Sequence, residues 1–221
     1  AYNVTANIVL TETHSGLTFI GPDEGEAVLD RNNTAEDSFI FELAGADQVT
    51  ISRLAMTGAR AAVSAERDAD SDHLNLSENR IFANYLNGVF IGTSNDHARL
   101  IDNELYGIPG GDTEDNQRDQ IEIRGTHAEI RGNTVYDAGY LGIGIYIYNG
   151  ENALITRNRV YGNGRMGINA YLFGQDHAKQ IIVSENEVYN NEDYGIYVNG
   201  NVRAERNRVY GHTAEEASYG I

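Results

Sequence analysis

Glu122 and Arg124 sit two residues apart in Asp119-Gln120-Ile121-Glu122-Ile123-Arg124, and period-two alternation sends both to one side of a strand. By the same rule, Tyr146 and Tyr148 of Ile143-Gly-Ile145-Tyr146-Ile147-Tyr148 point out while Ile145 and Ile147 point in. A carboxylate, a planar cation and two phenols on one face suit proton abstraction from C5 of a uronate sugar. That reaction needs the sugar carboxylate neutralised, a task for Arg124, and a group that moves the proton, for which Tyr146 and Tyr148 are candidates. Glu122 completes this catalytic set. The same row suits sugar binding, because aromatic rings meet the apolar faces of sugars and polar groups take their hydroxyls. Phe90 precedes it, Asn169, Tyr171, Tyr197 and Asn199 follow it, and His177 lies beside an expanded segment, so these six are the substrate-binding candidates. Two other readings compete. Hydrolysis needs two opposed carboxylates roughly 5–9.5 Å apart; Asp119 and Glu122 are nearest, but alternation puts them on opposite sides of the strand, with Gln120 outward, which ranks hydrolysis lower. A non-catalytic glycan-binding or adhesive module needs only the aromatic column, and tyrosine's β propensity alone could fill it.

The segment just upstream swells into Gly107-Ile-Pro-Gly-Gly-Asp112-Thr-Glu114-Asp115-Asn116-Gln-Arg118-Asp119. Repeat proteins carry functional insertions in such loops. Asp112, Glu114, Asp115 and Asp119 are hard oxygen ligands suited to calcium, although their spacing matches no EF-hand; a solvated acidic loop is the simpler alternative.

What must position these residues is a repeat. Asn79-Arg-Ile-Phe, Asn103-Glu-Leu-Tyr, Asn133-Thr-Val-Tyr, Asn158-Arg-Val-Tyr, Asn186-Glu-Val-Tyr and Asn207-Arg-Val-Tyr are six copies of one signature, with a degenerate period of about 21–30 residues. A second unit follows four of them: Gly88-Val-Phe-Ile, Gly142-Ile-Gly-Ile, Gly167-Ile-Asn-Ala and Gly195-Ile-Tyr-Val. Each repeat holds two or three short alternating pieces separated by Gly and Asn turns, and none offers a long amphipathic helix. Such a unit cannot fold alone and must stack on its neighbours. The expected fold is all-β, a parallel β-helix with coils about 4.8 Å apart. The Asn column reads as an internal ladder, since Asn tolerates left-handed geometry at turns and stacked amides bond from coil to coil. His73, His97 and His127 recur once per coil and read as turn features. Residues 1–70 read as irregular first coils and 70–221 as regular repeats of a single domain.

At Tyr161-Gly-Asn-Gly-Arg-Met-Gly-Ile-Asn and Tyr189-Asn-Asn-Glu-Asp-Tyr-Gly-Ile-Tyr the repeat resembles the β-helix of mannuronan C5-epimerases and related polysaccharide lyases. The resemblance covers residues 70–221 and implies a right-handed helix of the pectate-lyase type with a groove for a uronate polymer. The YGFDPH signature of those epimerases aligns with Ile143-Gly-Ile-Tyr146-Ile-Tyr148, so its Asp and His become Tyr146 and Tyr148 and its Tyr becomes Ile143. The epimerase catalytic set is therefore not carried over, and the three-Asp cluster and Gly-His-Gly of pectin-type hydrolases are also missing.

Charge narrows the partner. The net charge of −17 argues against nucleic acid, which calls for a basic footprint. Lys179 is the lone lysine beside fifteen arginines, a balance that fits a saline setting. No apolar run approaches about 20 residues, so no membrane span is expected. Without cysteine there are no disulfides and no thiolate metal site. The opening Ala1-Tyr2-Asn3-Val4 is already strand-like, and Tyr219-Gly220-Ile221 reads as a strand beginning. The expectation is a mature or excised part of a longer chain, secreted or at a cell surface, with further domains or self-association at the coil ends.

Overall fold

Short apolar strands broken by left-handed turns can bury their side chains only against copies of themselves. The computed structural model, which describes residues 1–108, 117–174 and 178–213, does this by coiling. Each coil lays down three strands, and each strand pairs in parallel with its counterparts in the adjacent coils, giving sheets of nine, eight and eight strands. The first sheet runs from Tyr2–Asn3 to Arg208–Tyr210 and the third from Thr18–Ile20 to Val202–Glu205. The second, which carries the candidate residues, comprises Ile8–Thr11, Phe39–Ala44, Ala61–Ala65, Asn87–Ile91, Asp119–Ile123, Ile143–Tyr148, Met166–Leu172 and Tyr194–Gly200. Among the described residues the one helical turn is a 3-10 turn at Glu12–His14. The parallel β-helix expected from the repeat is the observed fold, and the blurred first coils belong to the same sheets.

The core is a set of apolar columns. Val89, Ile121, Ile145, Ile168 and Ile196 stack inside the second sheet, Ile81, Leu105, Val135, Val160 and Val188 inside the first, and Leu76, Leu100, Ile130, Ile155 and Val183 inside the third, all fully buried.

The asparagine column is an internal ladder. Asn103 Oδ1 accepts from the backbone N (2.9 Å) and Nδ2 (3.0 Å) of Asn79, and the same pair of bonds links Asn103 to Asn133, Asn133 to Asn158, Asn158 to Asn186 and Asn186 to Asn207. One detail of the expectation is corrected. The left-handed residue is the one before each Asn (Glu78, Asp102, Gly132, Arg157, Glu185 and Arg206, φ between 54° and 70°), and the Asn serves through its side chain. A second ladder lies five residues on, at Asn84, Asn163, Asn191 and His212, and in the coil of Asn103 its place is taken by Gln117, fourteen residues on. It explains the recurring glycine of the second unit, with one correction to the alignment read from the sequence: parallel register puts Gly144, not Gly142, in file with Gly167 and Gly195. A Cβ at Gly144, Gly167 or Gly195 would come within 2.4–2.9 Å of the side chains of Asn163, Asn191 or His212.

The histidines are turn features, as expected. His73, His97 and His127 adopt φ of 57–59° and stack ring on ring at 4.7 and 4.8 Å. The aromatic of each Asn-x-apolar-aromatic signature also stacks: Phe82, Tyr106, Tyr136, Tyr161, Tyr189 and Tyr210 form one column on the outside of the first sheet, with centroids 4.9–5.3 Å apart.

Candidate functional site

Parallel register lines up the outward side chains of the second sheet. One file runs Glu42, Ser64, Phe90, Glu122, Tyr146, Asn169, Tyr197. Beside it run Tyr148, Tyr171 and Asn199, with Arg124 two residues beyond Glu122. On the other side, Phe39, Ala61, Asn87 and Asp119 pair in turn. Alternation breaks in Asp119–Ile123. Gln120 aligns with the inward glycines and is fully buried, its Nε2 donating to the Tyr136 carbonyl at 3.1 Å. There is room because Ala138 stands where an Asn would continue the second ladder. With Gln120 and Ile121 both inward, Asp119 and Glu122 share the outer side. The expectation that Gln120 points out, and that the two carboxylates face opposite ways, is therefore wrong, and the geometric objection to a carboxylate pair falls.

The upstream part of this face is a cleft of about 250 Å³. Arg60, Arg118 and Arg124 line it together with Glu66, Asn87 and Glu122, and Phe39 and Phe90 supply apolar wall. Glu122 is only 5% exposed. Its Oε1 accepts from Arg124 Nε (2.9 Å) and Nη2 (2.7 Å), and its Oε2 from Asn87 Nδ2 (3.3 Å). The Arg124 guanidinium is also 5.7 Å from the Phe90 ring centroid and 5.5 Å from that of Tyr148, within cation–π range of both. Asp119, equally buried, accepts from the Ile143 amide at 3.1 Å and lies 3.8 Å from Arg118 Nε. Burial, helped by the charge of Glu122, pushes its carboxyl up to about 6. Burial, with the charge of Glu122 next, also raises Tyr146, so its phenol stays protonated at neutral pH.

Downstream the face turns aromatic. Tyr148 and Tyr171 stack at 5.8 Å, and Phe173, 53% exposed, meets both edge-on at 5.5 and 4.4 Å. The Tyr148 and Tyr171 faces are thus partly used on each other. Tyr146 touches Tyr148 edge-on at 6.0 Å, and Tyr197, 38% exposed, packs against Tyr194 at 5.8 Å.

Glu122, Arg124, Tyr146, Tyr148, Asn169 and Tyr171 are thus neighbours on three successive strands, with Phe90 one coil before and Tyr197 and Asn199 one coil after. Asp112, Glu114, Asp115 and His177 lie outside the described residues; of the expected metal ligands Asp119 alone is described, and it is a neighbour of Glu122. Among the described residues no three His, Asp or Glu side chains are grouped to hold a metal ion. Arg60, Arg118, Asn87 and Phe173 were not among the candidates read from the sequence. A signal for two of them existed: Arg60 and Arg118 each stand immediately before a strand of this sheet, as does Arg165, which aligning the repeats from strand to strand would reveal.

The family model for the right handed beta helix region matches residues 62–221. The chain belongs to the right-handed β-helix family. Solved β-helices superpose on it at low identity. The periplasmic alginate epimerase AlgG gives a TM-score of 0.64 at 18% identity, covering 85% of this chain and 45% of its own. Pectate lyase Pel9A gives 0.56 at 13%, covering 100% and 70%. The Dettilon tailspike protein gp208 gives 0.62 at 14%, covering 89% and 38%. This β-helix therefore spans about half the length of the epimerase, and at these identities the likeness is one of fold. None of the curated proteins matches it. No helix among the described residues is long and apolar enough to cross a membrane.

Proposed function

We propose that this β-helix acts on an extended, uronate-containing polysaccharide lying across the outer face of the second sheet, by β-elimination or C5-epimerisation. The observation that carries the reading is the convergence of Arg60, Arg118 and Arg124 on one cleft in a chain of net charge −17. Fixed cations in a partly desolvated cleft stabilise the charge that builds on a uronate carboxylate when its C5 proton leaves. Tyr148, beside the Arg124 guanidinium, acts as the base once its own phenolic proton has been given up to solvent, and its phenolate oxygen then takes that proton. Tyr146, kept protonated by its surroundings, returns one to the leaving glycosidic oxygen in elimination; in epimerisation the opposite, solvent-facing side of C5 takes its proton from water. The alginate epimerase and the pectate lyase among the similar structures are in keeping with this chemistry, and the periplasmic setting of the former with a secreted or cell-surface location. Calcium, if held by the acidic run Asp112, Glu114, Asp115 and Asp119, would bridge an acidic protein to an acidic polymer.

One observation favours a second reading, hydrolysis. Asp119 and Glu122 share the outer side, one carrying a proton up to about pH 6 and the other ion-paired with Arg124, a division of labour that acid-catalysed glycoside cleavage uses. One experiment separates the readings. Incubation with alginate, pectate, hyaluronan and unsulfated chondroitin, with and without calcium, is followed by unsaturated-uronate absorbance, by reducing ends and by uronate stereochemistry. Elimination raises the absorbance, epimerisation alters stereochemistry alone, and hydrolysis releases reducing ends without absorbance. Binding with none of the three changes would leave a non-catalytic glycan-binding module.

A further inference from the structure

Charge on the outer face of the second sheet is divided by coil. Upstream, on and beside the Ala61–Ala65, Asn87–Ile91 and Asp119–Ile123 strands, the face carries Arg60, Glu66, Arg118, Glu122 and Arg124. Downstream, on Ile143–Tyr148, Met166–Leu172 and Tyr194–Gly200, the outward residues in the same files are Tyr146, Tyr148, Asn169, Tyr171, Tyr197 and Asn199, and none is charged. Phe173 caps this stretch with an exposed ring. Two cations stand at its margins among the described residues, each ion-paired: Arg165 lies 3.6 Å from Asp193, and Lys179 Nζ lies 2.8 Å from Glu151. With coils about 4.8 Å apart, the uncharged stretch extends roughly 10 Å along the axis from its first strand to its third.

A polymer running along the axis therefore passes from a cleft with three arginines onto an aromatic and amide surface whose outward residues, among those described, carry no charge, Arg124 reaching only its first ring, Tyr148. A homopolymer of uronates would bring a carboxylate to every sugar position on that surface, losing hydration with no compensating charge. A neutral sugar loses nothing of the kind: its hydroxyls meet phenol and amide groups, and its C–H face meets Phe173 or Tyr197.

We propose that the substrate is a heteropolysaccharide in which the uronate held in the arginine cleft is joined to uncharged sugars that occupy the Tyr171–Phe173 surface beyond Tyr148. This rests on the reading of the second-sheet face as a uronate-polymer site and narrows it to a substrate class. The test is the affinity of the full chain for size-matched fragments of two kinds: polyuronates (alginate, pectate) and polymers alternating a uronate with an N-acetylhexosamine (hyaluronan, unsulfated chondroitin). The wild type should bind at least one alternating polymer about tenfold or more tighter than either polyuronate. Phe173→Ala, at an exposed position, should erase most of that preference while leaving polyuronate affinity within about twofold. Asn199→Arg adds a cation to the uncharged stretch and should tighten polyuronate binding selectively. Equal or tighter binding of polyuronates by the wild type, or a Phe173→Ala variant that keeps the full preference, would overturn the heteropolymer assignment while leaving the uronate site standing. Binding of none of the four polymers would overturn the uronate reading, and the assignment with it.

Discussion

Replacing Asn158 by Ala tests what holds the coils in register. The side chain is almost fully buried in the middle of the ladder and makes four hydrogen bonds. Oδ1 accepts from Asn133 N (2.9 Å) and Nδ2 (3.0 Å), and Nδ2 donates to the Ile130 carbonyl (2.9 Å) and to Asn186 Oδ1 (3.0 Å). Not all of these losses count equally. Asn133 Nδ2 keeps the Leu100 carbonyl at 2.8 Å, and Asn186 Oδ1 keeps the Asn158 backbone amide at 2.9 Å. The Asn133 backbone N–H has no such fallback. Stranding a buried donor costs about 1–3 kcal/mol and the weakened remainder about 1 more, so about 2–4 kcal/mol is expected. For a chain of this size that is a fall in Tm of about 5–15 °C. Asn207→Ala, at the half-buried end of the ladder, should cost less, because water can replace its lost bonds. Urea and thermal unfolding followed by circular dichroism measure both. An Asn158→Ala variant with unchanged midpoints, or one no worse than Asn207→Ala, would refute the ladder as a source of stability.

Asp119 binds a proton in the folded chain up to about pH 6 but only to about 3.8 when unfolded. Its contribution is therefore full below about pH 4 and is lost as pH rises through 6. Asp119→Asn should be more stable than wild type at pH 7, by up to about 3 kcal/mol, with the gap closing towards pH 4; a gap that does not change with pH would contradict the shift. Gly167→Ala puts a Cβ 2.4 Å from Val188 Cγ1 and 2.7 Å from Asn191 Nδ2, so it should lower the urea midpoint by the equivalent of about 1–3 kcal/mol; wild-type stability would mean that the second ladder does not dictate glycine there. If the acidic run beside Asp119 binds calcium, micromolar Ca²⁺ should raise Tm where Mg²⁺ and matched NaCl do not, and Asp112→Asn with Asp115→Asn should abolish the effect. Equal responses to all three salts would mean that only repulsion among the 33 carboxylates is being screened.

The architecture was legible because a repeat states the same physical requirement several times. Six Asn signatures announce a stacked column, and the apolar residue two after each Asn, such as Val135 or Val160, announces the core file it joins. The second ladder was equally written, in Asn84, Asn163 and Asn191 at a constant offset of five from the first, but it is broken at Ile108 and Ala138 and so does not read as a column. The site was legible only where alternation holds. Tyr146, Tyr148, Asn169 and Tyr171 follow it. In Asp119–Ile123 it fails, because an inward position filled by glycine in adjacent coils is filled by Gln120, and so the partnership of Asp119 with Glu122 stayed hidden. Arg60, Arg118 and Phe173 sit at strand margins, where period-two reasoning assigns no face at all.

The central claim is that a uronate polymer occupies the arginine cleft of the second sheet. A crystal structure with a uronate-containing oligosaccharide tests it most directly. The account predicts a sugar carboxylate within hydrogen-bonding distance of Arg60, Arg118 or Arg124, with the chain continuing over Tyr148 and Tyr171. Sugar bound instead along the Phe82-to-Tyr210 column of the first sheet, with the arginine cleft empty, would contradict it.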